Sequence, residues 1–437
     1  MYIFKRLRFI FFLSLPLGAV HAQQAQTDIS APVTQEQAVE IALANNKALA
    51  AARTTIAQAQ AQSRQAGRLD NPLLNVEYAN DFAFNNEGQY AYAIGLRQRF
   101  PITNRLGLLK DISRDEITLA ETEIRNQERV LIQEVESTYL ALAEADAQLK
   151  LREELIALNQ QFAEFVESRI SQGEASAVDA NQIKIALYAV EQEIRRLKNQ
   201  QAQYYSNLRQ LLGMNSRIAL NYSKEFSLPQ SAPELPAMDT SMLENHPEYQ
   251  LKELLYQIAD KRTDLARAER WGDIAVEIFF EEDNGVDEPL GLTNDRYLGI
   301  GVSIPLPIVN QNRGGIDASR AFRQQVKLER EAVSLQIENR AELLRERALQ
   351  LYQQAAHYEA NITELVDSNL SEMNDAYAAG QIDLRDVFRS QEQQLKIQSA
   401  NLAILRDYEQ TLINWEAATA SNLSSDSSMN ETISHDE

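Results

Sequence analysis

The stretch Tyr90-Ala91-Tyr92-Ala93-Ile94-Gly95-Leu96-Arg97-Gln98-Arg99 alternates as far as Gln98. Tyr90, Tyr92, Ile94 and Leu96 point one way, and Ala91, Ala93, Gly95, Arg97 and Arg99 the other. A period of two is what a β-strand with one greasy and one wet face requires. Three more segments share it. Leu74, Val76 and Tyr78 alternate with Asn75 and Glu77, and Ile274, Val276, Ile278 and Phe280 oppose Ala275 and Glu277. Leu298, Ile300, Val302 and Ile304 oppose Gly299, Gly301 and Ser303. At roughly 9 to 11 residues each, the four strands have the length of tilted membrane strands, and soluble half-buried hairpins produce the same alternation. Pattern alone leaves both readings open.

Between and beyond the strands the period changes to that of helices. Ile183, Leu187, Val190, Ile194, Leu197, Gln201, Tyr204, Leu208 and Leu211 step by four and three, a coiled-coil seam with one polar break. Leu131, Val135, Thr138, Leu142, Ala145, Leu149, Arg152 and Ile156 form the same seam on the preceding helix. At 1.5 Å per residue, a helix over 106–172 would be roughly 100 Å long. Helices expected over 34–69 and 176–212 together match that length, so two shorter helices stacked end to end can lie beside one long one. Thr34 and Gln37 fit a capping box at the first helix start. Asn71-Pro72 ends that helix, because proline lacks an N–H and pushes its predecessor out of the α region.

Setting the chain against itself with a shift of about 200 residues reveals a duplication. Asn45-Asn46 corresponds to Asn245-His246, Val76-Glu77 to Val276-Glu277, and Gly95 and Pro101 to Gly301 and Pro307. Gly173 and Asp179 correspond to Gly380 and Asp386. The expected organisation is a first repeat over 34–215, with a strand pair at 72–100 and a helical hairpin at 106–212. A proline-bearing linker over 216–240 follows, then a second repeat over 241–420 with a strand pair at 273–305 and a hairpin at 311–420. A polar tail occupies 421–437.

Composition narrows the functions. The 437 residues carry 42 Lys plus Arg against 63 Asp plus Glu, a formal charge of −21, and no cysteine. Without cysteine there is no disulfide framework, thiolate metal site, thiol nucleophile or lipidated cysteine anchor. Lys5, Arg6 and Arg8 precede an apolar run, and Val20-His21-Ala22 resembles a small-residue cleavage site, so 1–22 is expected to be a signal peptide. Its removal makes the chain more acidic still, and nucleic acid is not an expected partner. After it no apolar run reaches the ~18 to 20 residues of a spanning helix, so a membrane role needs a closed barrel.

No catalytic constellation emerges, and no cofactor is implied. His246, His357 and His435 are not at metal-ligand spacing; His246 and His435 are expected to be solvated. Glu281, Glu282, Asp283, Asp287 and Glu288 form an acidic run expected as a loop between the last two strands. It would be solvated or, through hard oxygen ligands, hold a divalent cation weakly. Trp271, at a helix-to-strand junction, suits an interfacial anchor or a packing role.

The chain resembles the TolC family of outer-membrane efflux proteins over about 34–420. The resemblance rests on the repeat plan, on Glu36-Gln37-Ala38-Val39-Glu40-Ile41-Ala42-Leu43-Ala44-Asn45-Asn46, and on Gly301-Val302-Ser303-Ile304-Pro305-Leu306-Pro307-Ile308 followed by Asn310-Gln311-Asn312-Arg313-Gly314-Gly315. The last segment is most similar to the CzcC-type heavy-metal cation efflux branch. The resemblance implies a mostly α chain that trimerises. Each copy would give four strands to an outer-membrane β-barrel and its helices to a long periplasmic coiled-coil barrel, with the 216–240 linker at its equator. It implies a passive exit duct of a tripartite system, docked with a periplasmic adaptor and an inner-membrane RND pump and exporting divalent metal cations. A duct of the same fold for drugs or type I protein secretion, and a soluble periplasmic coiled-coil scaffold, are the alternatives.

By position, the resemblance places the adaptor-docking tips at Gln172, Gly173 and Glu174 and at Gly380 and Gln381. The same glycines suit helix C-caps of positive φ. It places the periplasmic gate at Asp386, with Asp179 its counterpart in the first repeat. Both acids also suit first helical turns, where the macrodipole favours them. Arg389 stands where some relatives have a second acid, so the charge pattern of the gate departs from theirs.

Overall fold

The computed structural model describes residues 29–83, 87–172, 176–215, 220–222, 224–287 and 291–423. The expected signal peptide and residues 424–437 of the tail lie outside them.

Four antiparallel strands, β2 (Leu73–Asn80), β3 (Tyr90–Phe100), β5 (Ile274–Asp287) and β6 (Gly291–Ser303), form one sheet in the order β2-β3-β5-β6. The register sets Leu74 beside Leu96, Leu96 beside Ile278, and Ile278 beside Ile300. One face is therefore apolar across all four strands. Phe279 is accommodated on the opposite face because its neighbours are Gly95 and Gly299; a Cβ on Gly299 would collide with the Phe279 ring.

The helices build a wall of four columns. The first stacks α2 (Lys47–Gln65) above α4 (Ala177–Leu211), and the second is the long α3 (Arg105–Ser171). The third stacks α6 (Pro247–Ala268) above α9 (Leu384–Thr419), and the fourth is α7 (Arg313–Asn361) continued by α8 (Thr363–Ala378). Neighbouring columns pack: α3 touches α2, α4, α6 and α9, and α7 touches α6 and α9. The α4 seam faces inward as its heptads require. Ile183, Leu197 and Leu208 are buried, whereas Ile185 and Tyr188 on the other side are exposed.

Three breaks divide the helices, the first of them inside a helix expected to be continuous. The helix expected over 34–69 is two, α1 (Gln35–Asn45) and α2, parted at Asn46. Its first part packs on α3 instead of extending the column. A similar break separates α5 (Thr240–Asn245) from α6 at His246. The third falls at Ile362 between α7 and α8. The capping box at Thr34 is present: its Oγ accepts from the Gln37 N–H, and Gln37 Oε1 accepts from the Thr34 N–H.

A belt surrounds the column junctions. Within the expected linker, β4 (Leu220–Tyr222) pairs in parallel with β1 (Ile29–Val33). Beneath them Val33, Ala38, Ala42, Leu131, Val135, Tyr139, Leu208 and Leu212 form one core. Among the described residues no helix is long and apolar enough to cross a membrane.

Candidate channel wall and periplasmic tip

The sheet presents a band of apolar side chains to its surroundings. Leu74, Val76, Ile94, Leu96, Ile278, Leu298, Ile300 and Val302 are exposed on one face, and Leu298 is 80% exposed. Tyr78 and Tyr92 close the band at one end, as aromatic girdles do at a membrane interface. The opposite face is polar. There Glu277 accepts two bonds from Arg97, at 3.0 and 2.7 Å, and one from Asn75 at 2.9 Å.

The acidic run is not a loop. Residues 281–287 continue β5, and Glu288 lies outside the described residues. Strand alternation turns Glu282 to the face opposite Glu281 and Asp283. Glu282 is already engaged, accepting from Asn294 at 2.8 Å, Arg296 at 2.9 Å and the Tyr92 hydroxyl at 3.3 Å. Glu282 therefore does not converge with Glu281 and Asp283 on one ion, and among the described residues no group of three metal-ligating side chains exists.

At the belt, side-chain hydrogen bonds stitch the column junctions, through Asn46 at one and through His246 and Arg129 at the other. Asn46 Oδ1 accepts from the Leu49 N–H at 2.9 Å, capping α2, while its Nδ2 donates to the Leu211 carbonyl at 2.9 Å, satisfying the end of α4. Gly213, at φ +66°, lets the chain leave α4 against the Asn45 carbonyl, where a Cβ would clash. In the second repeat His246 Nδ1 accepts from the Glu248 N–H at 3.2 Å, and Arg129 donates to the Ala417 carbonyl at 2.7 Å. His246 is buried, not solvated as its sequence context suggested, because the end of α9 and Arg129 cover it. Burial, with Arg129 second, pushes its imidazole down to about 4. Nearby, burial followed by the charge of Glu416 pushes Glu136 up to about 7. Trp271 sits between α6 and β5, half exposed.

Both hairpin turns lie at the far end from the sheet. Gly380 has φ +71° and follows α8; the Gln381 N–H reaches back to the Ala376 carbonyl at 2.9 Å, a Schellman closure. Gln172 ends α3, while Gly173 and Glu174 lie outside the described residues. Asp386 stands in the first turn of α9 and Arg389 one turn on, both exposed. Asp179 lies in the first turn of α4. An aromatic cluster that the sequence did not single out joins the two hairpins here. Phe162 lies 4.8 Å from Tyr377 and 6.4 Å from Phe388, and Val166, Ile183, Leu384 and Val387 complete a buried core. The signal that would have found it is an aromatic residue within about three helical turns of each hairpin glycine.

Residues 38–214 match the family described as outer membrane efflux protein. The cation efflux system protein CusC of Escherichia coli (strain K12) is 24% identical over 293 residues, covering 65% of this chain and 64% of its own. The chain thus matches just under two thirds of the length of that relative. A crystal structure of CusC superposes with a TM-score of 0.74 at 18% identity, covering 88% of this chain and 91% of that one. The Campylobacter jejuni CmeC outer membrane channel superposes with a TM-score of 0.72 at 12% identity, covering 97% of each. At these identities the likeness of structure is one of fold, and the fold is that of TolC-like outer membrane channels.

Proposed function

We propose that this chain, whose residues 38–214 match the outer membrane efflux protein family and whose fold is that of outer membrane channels, is an exit duct of the outer membrane and not an enzyme, working as part of a tripartite efflux system. The observation that carries this reading is the sheet: an exposed apolar band on one face, a polar opposite face, and two unpaired edges at β2 and β6. Four strands cannot close by themselves, and edges left open in lipid are costly, so copies must join edge to edge. The helical wall is open in the same sense. Leu328, Leu335 and Leu343 are exposed on α7, and Ile185 and Tyr188 on α4, at opposite ends of the column order. A ring of three copies gives a twelve-stranded barrel above a helical tunnel. In this reading the belt over 216–240 is the equator between two efflux repeats, 34–215 and 241–420.

A passive duct needs partners to supply energy. An adaptor would meet the two hairpin turns, at Gln172, Gly173 and Glu174 and at Gly380 and Gln381, and an inner-membrane RND pump would feed the tunnel. Divalent metal cations are the proposed cargo, supported by the similarity to a cation efflux protein. Asp386, exposed at the start of α9, with Asp179 beside the other turn, forms the proposed gate; Arg389 moderates its charge.

Reconstitution of the purified outer-membrane protein in planar bilayers tests the duct. Discrete channels are expected, with Asp386→Asn combined with Asp179→Asn raising closed-state conductance and weakening block by polyvalent cations. Release by osmotic shock without membrane association would instead make this a soluble scaffold. Loss of metal tolerance but not drug tolerance on deletion distinguishes the cargo.

A further inference from the structure

The contact between α3 and α9 runs antiparallel from belt to tip in one register. Arg129 donates to the Ala417 carbonyl at 2.7 Å, Gln133 to Asn414 at 2.7 Å, and Gln410 to Ser137 at 2.8 Å. Lower down, Arg406 pairs with Glu144 at 3.2 Å, and Arg152 donates to Ser399 at 3.1 Å. Near the tip the rungs turn aromatic, at Phe162 and Phe388. Three residues back along α3 from Phe162 is Asn159, and three forward along α9 from Phe388 is Gln391, so the register sets these two amides at the same level of the wall.

Both are enclosed, at 2% and 3% exposed. Yet among the described residues Asn159 Oδ1 and both Oε1 and Nε2 of Gln391 have no hydrogen-bond partner. Gln391 also borders a cleft of about 100 Å³ between the same helices, walled by Leu155, Leu158 and Leu395. A buried amide atom without a partner weighs against its packing by about fivefold or more in an equilibrium. The neighbouring column is interrupted close by. Asn369 on α8 donates to Ser390 at 3.1 Å, and the break at Ile362 lies two turns above that contact.

We propose that Asn159 and Gln391 form a joint at which the tip of the wall tilts against its upper part when the tunnel mouth changes width. Tilting two packed helices together requires one to slip past the other. Slip is cheapest where no hydrogen bond must break and where a cleft gives room. Below the joint the aromatic cluster holds both hairpins as one block; above it the polar rungs hold α3 to α9. The two amides are positioning residues: they touch no cargo and set how readily the mouth opens.

The inference rests on the duct reading and is tested in the same bilayers. The chain has no cysteine, so the double variant Asn159→Cys with Gln391→Cys can form a single disulfide if the positions face each other. Current through the oxidised form is expected to fall about tenfold and to return on reduction. Failure of the disulfide to form overturns the juxtaposition, and equal currents before and after reduction overturn the joint. A parental protein that passes no current overturns the duct reading instead. Gln391→Leu, which replaces the unpaired amide by an apolar side chain of similar size, is expected to raise the melting temperature and lower the current. Parental values of both would contradict the proposal.

Discussion

Asn46 and His246 each cap a helix beside the end of another, with side chains that respond differently to acid. The amide of Asn46 does not titrate. His246 is held neutral down to about pH 4, whereas the unfolded chain takes up its proton near 6.5. Between these values the unfolded state binds more protons, so the stability His246 contributes is present above pH 6.5 and is lost as pH falls toward 4. At most about 3 kcal/mol is at stake. Glu136 acts in the opposite sense. Its folded pKa, about 7, lies above the ordinary carboxylate value, so acidification through that window favours the folded state. Replacing His246→Asn isolates the histidine. Near pH 7.5 the variant is expected to melt within about 1 kcal/mol of the parent, because asparagine caps equally well. It should lose less stability than the parent on titration to pH 4.5, and parallel melting curves would count against the burial argument. The sequence displayed the Thr34 capping box because all its atoms lie within four residues. It could not display the burial of His246, which depends on Arg129 and Ala417 far away in the chain.

At the scale of elements, periodicity was the readable signal. The α4 seam and the four strands recur at regular spacing, and burial follows that spacing. Leu208, fully buried in the seam against the belt core, is expected to cost about 2–5 kcal/mol when replaced by alanine. Chemical denaturation would show it, and a cost below about 1 kcal/mol would mean that the core can collapse around the gap. Breaks were harder to read. Nothing at Asn46 or Ile362 forbids a helix locally, and only the crossing of other chain segments decides that the columns part there. Pro247 was a usable cue for the break at His246, since proline suits the first turn of a helix. The acidic run in β5 misled for a different reason. Polar residues clustered between alternating segments read as a loop, but a strand extending past its apolar band no longer needs apolar side chains on either face. Pairing with β6 continues to Asp287 regardless.

For the whole molecule, the length arithmetic made the stacked columns legible in the sequence. The belt was not, because β1 and β4 are short and separated by nearly half the chain, and no local pattern announces a parallel pair. The candidate tip was legible at Gly380 through its turn chemistry. The aromatic block and the unpaired amides above it emerge only when two hairpins are brought side by side. The open edges at β2 and β6 also bear on inheritance. If each ring is assembled at random from three chains, a cell making equal amounts of sound and faulty copies has only about one ring in eight free of a faulty member. An allele such as Ile300→Pro, in a strand that the closed ring pairs on both sides and that therefore accommodates proline poorly, is expected to act dominantly. Co-expression with the parental gene should depress export well below half, and a loss of only half would mean that faulty chains are excluded before the rings close.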